Sequence, residues 1–198
     1  SFSYGNDAVE TVSYDPDGAK KLLEESGWTD TDGDGYVDKD GQKLSINWLT
    51  YPTRLEQPKL AEYAQATLKD IGIDVQVNNT PDHRTFAENG DFDVYVSSVT
   101  TAPTGDPEYF FTSTVTGSKN YGNYQNEEVT KLTDQLHQTF DKDERGKLAI
   151  ELQQDILDDD AYFFVSHLNM GIVTKSNVKG MATHPCDYYE ITAELDVE

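Results

Sequence analysis

The feature that most restricts the fold is a strand–helix–strand pattern between residues 44 and 77. Residues 44–50 alternate apolar and polar side chains, as a strand with one buried face does. Over residues 55–71, Leu60, Ala64, Leu68 and Ile71 recur at the spacing that lines one face of a helix. Gly72 stops that helix, and Ile73, Val75 and Val77 begin a second alternation. Segments of this size joined in this way form a right-handed βαβ crossover with parallel strands. The expected class is therefore α/β.

The rest of the chain extends that reading. Asp15 caps a helix over residues 15–27, Pro16 suits its first position, and Gly27 suits a left-handed stop. A short helix is expected at 81–89 and a third strand at 92–99. A long polar stretch follows at 100–125, and loops of that length usually serve as binding or lid segments. Two amphipathic helices are expected next. Val129, Leu132, Leu136 and Phe140 line the first, and Leu148, Leu152 and Ile156 line the second. Residues 162–168, 171–174 and 188–197 read as further strands.

Charge and motifs narrow the function. The chain has 37 acidic and 15 basic residues, a net charge of −22. Such a field repels nucleic acid and anionic membranes, so neither is an expected partner. A single cysteine, Cys186, allows no internal disulfide. His83, His137, His167 and His184 show no metal-ligand spacing, and no nucleophile elbow, phosphate loop or dinucleotide fingerprint is present. A catalytic role is therefore not expected.

The strongest local motif is Asp30-x-Asp32-x-Asp34-Gly35-x-x-Asp38. It sets carboxylates at alternate positions around a glycine turn, as calcium loops do, and the Tyr36 carbonyl would add a ligand. The twelfth position is Gly41 instead of a bidentate Glu. Its absence weakens the expected affinity to roughly the 10⁻⁴–10⁻³ M range of extracellular modules. A second candidate site is the loop Thr100-Thr101-Ala102-Pro103-Thr104-Gly105-Asp106-Pro107. It directly follows an expected strand, where open α/β sheets place their ligands.

Several short pieces together resemble a known family. They are Tyr14-Asp15-Pro16, Ala19-Lys20-Lys21-Leu22-Leu23, Ser26-Gly27-Trp28 and Asp30-Thr31-Asp32-Gly33-Asp34-Gly35. Further on stand Leu68-Lys69-Asp70-Ile71-Gly72-Ile73, Gly90-Asp91-Phe92-Asp93, Gly105-Asp106-Pro107 and Tyr124-Gln125-Asn126-Glu127-Glu128-Val129. In this order and spacing they resemble the C-terminal part of the peptide/nickel class of solute-binding proteins that serve ABC importers. The resemblance implies one lobe of a type II periplasmic-binding-protein-like fold, a mixed sheet flanked by helices.

By that resemblance, residues 1–186 form a ligand-binding lobe and residues 187–198 a tail returning to an N-terminal lobe outside this chain. That other lobe would carry the secretion or lipid signal, and the protein would work outside the cytoplasmic membrane with a membrane permease. The implied ligand is an oligopeptide or a nickel or other metal–chelate complex. Peptide-binding relatives carry an Asp for the ligand amino group where Pro103 stands here. Nickel-chelate relatives carry aromatic residues where Thr100, Thr101 and Thr104 stand, and the ligand inclines to a metallophore because the peptide-reading Asp is missing. The resemblance also places Arg84, with His83 beside it, facing the ligand, where a guanidinium suits a carboxylate. Tyr109, Lys119, Asn120 and Tyr121 would line the far wall. The alternative function is a calcium-stabilised extracellular interaction module, resting on the acidic loop alone. No organic cofactor is required in either reading.

Overall fold

The structure, a computed structural model, describes residues 6–168, 171–183 and 191–198. Its chain divides into two compact units, one Val12–Ser98 and the other Val99–Glu198 with the segment up to Thr11.

The Val12–Ser98 unit is built on the expected crossover. Helix α1 (Pro16–Glu25) starts on Asp15, whose carboxylate accepts the Gly18 amide at 2.9 Å. An antiparallel ribbon of β1 (Asp38–Lys39) and β2 (Gln42–Lys43) closes the acidic loop. Strand β3 (Ser45–Thr50), helix α2 (Glu56–Lys69) and strand β4 (Asp74–Asn79) form the crossover, with Ser45 opposite Asp74 and Thr50 opposite Asn79 in parallel register. Gly72 ends α2 at φ +84°, and a β-carbon there would meet Val37 Cγ1 at 2.8 Å. Helix α3 (His83–Asn89) leads to β5 (Val94–Tyr95), which pairs parallel with Trp48 and Leu49. The sheet order is β4-β3-β5, so β3 is central and its last three residues are buried. Trp48, Ala61, Ile73 and Val75 form the core, with Leu44, Ala64, Leu68 and Ile71 packed on it. Three of the four residues read from the apolar spacing pack there, while at the start of that face Ala61 instead of Leu60 belongs to the core.

The Val99–Glu198 unit departs further from expectation. The polar stretch 100–125 is not continuous loop: it contains α4 (Glu108–Phe110), which runs into a π-helical turn at Phe111–Val115. Phe110, Phe111 and Val115 are buried there, and Phe110 meets Tyr162 edge to face. Three apolar residues inside a polar stretch thus seed a core that average composition hides. Helices α5 (Glu127–Gln138) and α6 (Lys142–Asp158) form as expected, on Asn126 and Asp141 caps. Val129, Leu132, Leu136, Leu148, Leu152 and Ile156 are buried between them and the aromatic turn. Phe140 is not part of that face. It lies beyond the helix end and is 92% exposed.

The remaining expected strands are mostly corrected. The strand expected at 92–99 shrinks to the two residues of β5. Residues 162–168 and 171–174 form no strand, because an apolar or aromatic-rich run supplies strand-favouring side chains but not a partner segment to pair with. Of the expected terminal strand, 188–190 lie outside the described residues and only β7 (Asp196–Val197) forms. It pairs antiparallel with β6 (Val178–Lys179) in a two-stranded ribbon. The expected boundary at 186/187 also lies outside the described residues. No helix among the described residues is long and apolar enough to cross a membrane.

Candidate functional site

The acidic loop gathers three of its four aspartates. Carboxylate oxygens of Asp30, Asp32 and Asp38 lie within 4.8 Å of one another. Asp30 accepts the amides of Gly33 at 2.7 Å and Gly35 at 3.0 Å, and Asp38 accepts the amide and hydroxyl of Thr31. These backbone donors fold the loop around its own carboxylates. Asp34 is engaged elsewhere, in an ion pair with Lys43 at 2.6 Å. The Lys43 hydrogen bond, helped by the Tyr36 amide, holds the Asp34 carboxyl below its ordinary range. Three hard oxygen donors on a tight turn fit a calcium ion, and Asp34 is the member the structure assigns to Lys43 instead.

At the carboxyl end of the parallel sheet, the His83 ring stacks on Tyr51 with centroids 4.0 Å apart. Its Nδ1 lies 2.6 Å from the Tyr95 hydroxyl, and the Tyr51 hydroxyl accepts the Ser98 amide at 3.1 Å. Burial, reinforced by the neighbouring Arg84 charge, lowers the His83 pKa. Arg84 itself is exposed on the first turn of α3. The side of the sheet where ligands are expected is therefore an aromatic cluster with a cation beside it.

The other expected site residues lie in the Val99–Glu198 unit. Thr100, Thr101 and Thr104 are exposed and Pro103 is half-buried. A turn closed by Gly105 N donating to Ala102 O at 3.0 Å shapes the loop. Lys119 and Tyr109 are brought together: the ammonium is 3.2 Å from the Tyr109 hydroxyl and 5.4 Å from the ring centre. Asn120 turns onto its own segment, donating to Tyr124 O at 2.8 Å and accepting Tyr124 N at 3.0 Å. Tyr121 is half-buried, and its amide donates to Lys119 O. A groove of about 750 Å³ runs past Thr116, Asn120, Asn123, Gln125 and Lys131. Its Tyr124 and Asn126 both bind Asp159, so much of that wall is committed to holding itself together.

Sequence reasoning missed a dense polar centre among the described residues of this unit. Arg145, on the first turn of α6, binds Asp106 through two parallel hydrogen bonds of 3.0 and 2.6 Å and Glu108 at 2.9 Å. Burial would raise the Asp106 and Glu108 pKa values. For Asp106 the Arg145 hydrogen bonds and the Glu108 amide reverse that, and for Glu108 the bonds from His137 and Arg145 do, so both carboxyls are held low. The local signal was the Gly105-Asp106-Pro107 motif, but nothing near it in sequence names its partner.

Residues 1–122 match the family model described as bacterial extracellular solute-binding proteins, family 5 Middle. The chain is also 32% identical over 199 residues to the oligopeptide-binding protein AppA of Bacillus subtilis, covering 96% of this chain and 36% of that protein.

The chain belongs to this family.

Other family 5 relatives bind different solutes. The nickel-binding periplasmic protein of Escherichia coli is 27% identical over 194 residues, covering 93% of this chain and 36% of that one. Among solved structures, AppA from Bacillus subtilis in complex with a nonapeptide superposes with a TM-score of 0.78 at 28% identity. That match covers 92% of this chain and 38% of the other. A nickel ABC transporter structure from Bacillus halodurans gives 0.66 at 32% identity, covering 77% and 32%. The chain thus spans about a third of the length of the relatives it matches. These neighbours carry the fold expected of the family, a type II periplasmic binding protein. The family is one of solute-binding proteins, and none of the relatives supports a free-standing calcium module.

Proposed function

We propose that this chain is part of the solute-binding component of an ABC importer, capturing an oligopeptide outside the cytoplasmic membrane and passing it unchanged to a permease. The observation that carries this reading is the match to an oligopeptide-binding protein across 96% of the chain. The rest of the polypeptide, an N-terminal lobe, would supply the other side of the ligand contact. Arg84, Thr100, Thr101, Pro103, Thr104, Tyr109, Lys119, Asn120 and Tyr121 are the proposed solute contacts, with Arg84 and Lys119 serving carboxylate groups. The acidic loop is proposed as a structural calcium site at Asp30, Asp32 and Asp38, away from the transport chemistry.

A nickel–chelate ligand is the second reading. It is favoured by Pro103, which stands where peptide binders place an acid, and by the 32% identity to the nickel transporter structure.

Native mass spectrometry of the full-length protein purified from its own host tests both. A spread of peptide masses supports the first reading, and a single mass with the nickel isotope pattern supports the second. A protein that retains neither, and binds neither a random nonapeptide pool nor nickel(II)–histidine in calorimetry, overturns both. In the full-length protein, Arg84→Ala is expected to weaken binding of a carboxylate-bearing solute by roughly 2 kcal/mol or more if that pair is desolvated on closure.

A further inference from the structure

We propose that Arg145 is a positioning residue for the solute-contacting loop at 100–107, setting solute affinity from behind the loop without touching the solute. This rests on the reading of that loop as a solute contact. A guanidinium has five N–H donors in one plane. At Arg145 each finds an acceptor. Nε and one Nη2 hydrogen take the two Asp106 oxygens, the other Nη2 hydrogen takes Glu108 Oε2, and Nη1 donates to Leu136 O and Thr139 O, both at 2.6 Å. The side chain is only 13% exposed. Nothing is left over for a solute, so any effect of Arg145 on binding passes through what it holds.

It holds the carboxyl end of the loop. Asp106 is gripped side-on, and the same carboxylate accepts the Glu108 amide at 2.9 Å, which starts α4. Pro107 is buried directly behind it. One residue earlier, Gly105 adopts φ +80°, a conformation that glycine takes at no steric cost. The exposed Thr104 is thus separated from a rigid anchor by a single permissive residue, and Thr101 lies beyond the turn that Gly105 N closes on Ala102 O at 3.0 Å. The other end of the grip is the close of α5, through the Leu136 and Thr139 carbonyls. Arg145 therefore ties the loop to the helical hairpin and caps that helix at once. His137 braces the arrangement from outside, with Nδ1 2.6 Å from Glu108 Oε1. A lysine keeps the charge but has no planar fork and cannot reproduce the two parallel bonds. A loop that must be ordered at the moment of binding weakens affinity, whereas one held in place beforehand does not.

The test uses the full-length protein with Arg145→Lys and, in parallel, Asp106→Asn, which keeps the side-chain shape. Hydrogen exchange is followed for the peptide covering 99–107 and for α5 and α6. Affinity is measured for the random nonapeptide pool and for nickel(II)–histidine. In Arg145→Lys the loop peptide should exchange at least about ten-fold faster while α6 and α5 ahead of its capped last turn keep their protection, and the probe that binds the wild type should bind about ten-fold more weakly. Asp106→Asn, retaining one acceptor, should fall between. Faster exchange throughout the hairpin with unchanged affinity would mean a merely structural residue and overturn the proposal. Wild-type exchange at 99–107 in both variants would also overturn it, whatever the protein binds. A wild type that binds neither probe defeats the functional reading and with it the solute half of this one, while the exchange result still decides the tether.

Discussion

In the Val12–Ser98 unit, backbone hydrogen bonds between strands do the organising and side chains fill the space. In the Val99–Glu198 unit, side chains bond the backbone directly. Arg145 holds two carbonyls, Asn120 closes a loop on Tyr124, and the Tyr162 hydroxyl donates to Thr114 O at 2.9 Å. A sheet distributes its stability over many equivalent bonds, so it is vulnerable chiefly where its core is emptied. Irregular backbone rests on a few particular polar groups, so conservative polar changes reach it. The difference explains how a loop can be both exposed and fixed.

Four measurements probe that contrast. Leu49 lies on the central strand with no exposed surface. Leu49→Ala should cost about 2–5 kcal/mol in denaturant unfolding through lost burial and the cavity left behind. A cost under about 1 kcal/mol would mean that the sheet core does not carry its unit.

Calcium should stabilise the same unit from outside its core. At ten times the dissociation constant, mass action gives about 1.4 kcal/mol, visible as a rise in Tm. Asp32→Ala should abolish that rise, and Asp34→Ala should reduce it less, since Asp34 is paired with Lys43. Identical melting curves in millimolar calcium and in chelator would remove the metal site.

In the second unit, Tyr162→Phe deletes one hydroxyl and keeps the ring packed on Phe110. Losing its bond to Thr114 O should cost about 0.5–1.5 kcal/mol. An unchanged Tm would show that the irregular turn does not depend on this side chain.

The smallest effect concerns pH. The Asp106 carboxyl sits below its ordinary value in the folded chain, so ionised Asp106 stabilises above the unfolded pKa, about 3.9. That contribution is lost as pH falls from near 4 through the lowered folded value. The wild type should therefore lose more stability than Asp106→Asn between pH 5 and pH 3, in unfolding curves at matched ionic strength. Parallel losses would mean that Asp106 titrates as an unpaired acid.

What the sequence revealed follows the same division. The crossover was legible because Ala64, Leu68 and Ile71 repeat at a helical period and Ile73 and Val75 at a strand period, and burial enforces both. The Asp30 loop was legible because its ligands are local. The Arg145–Asp106 fork spans 39 residues, and no local pattern distinguishes either partner from an exposed charge. Asp34 was assigned to the loop by spacing, but spacing cannot see the ammonium of Lys43 arriving from the opposite strand of a ribbon. Residues 162–168 open with the aromatic and β-branched run Tyr162-Phe163-Phe164-Val165 that strands favour, yet pairing is a property of two segments and only one is visible in a local pattern.

The sheet order β4-β3-β5 also bears on how the chain reaches this state. Asn47 and Asp93 exchange hydrogen bonds, Asp93 donating its amide at 2.9 Å and accepting at 2.7 Å, from positions 46 residues apart. Arg145 and Leu136, which hold the helical hairpin, are nine residues apart. Long-range parallel pairing must close a large loop before it gains contacts, whereas a hairpin of helices closes a small one. In the order of the chain the slower-pairing unit precedes the faster one. The sheet strands therefore spend time exposed before their pairing is complete, with Val75, Val77 and Trp48 among the apolar surface on offer. Refolding conditions that prolong this stage should favour aggregation through those strands.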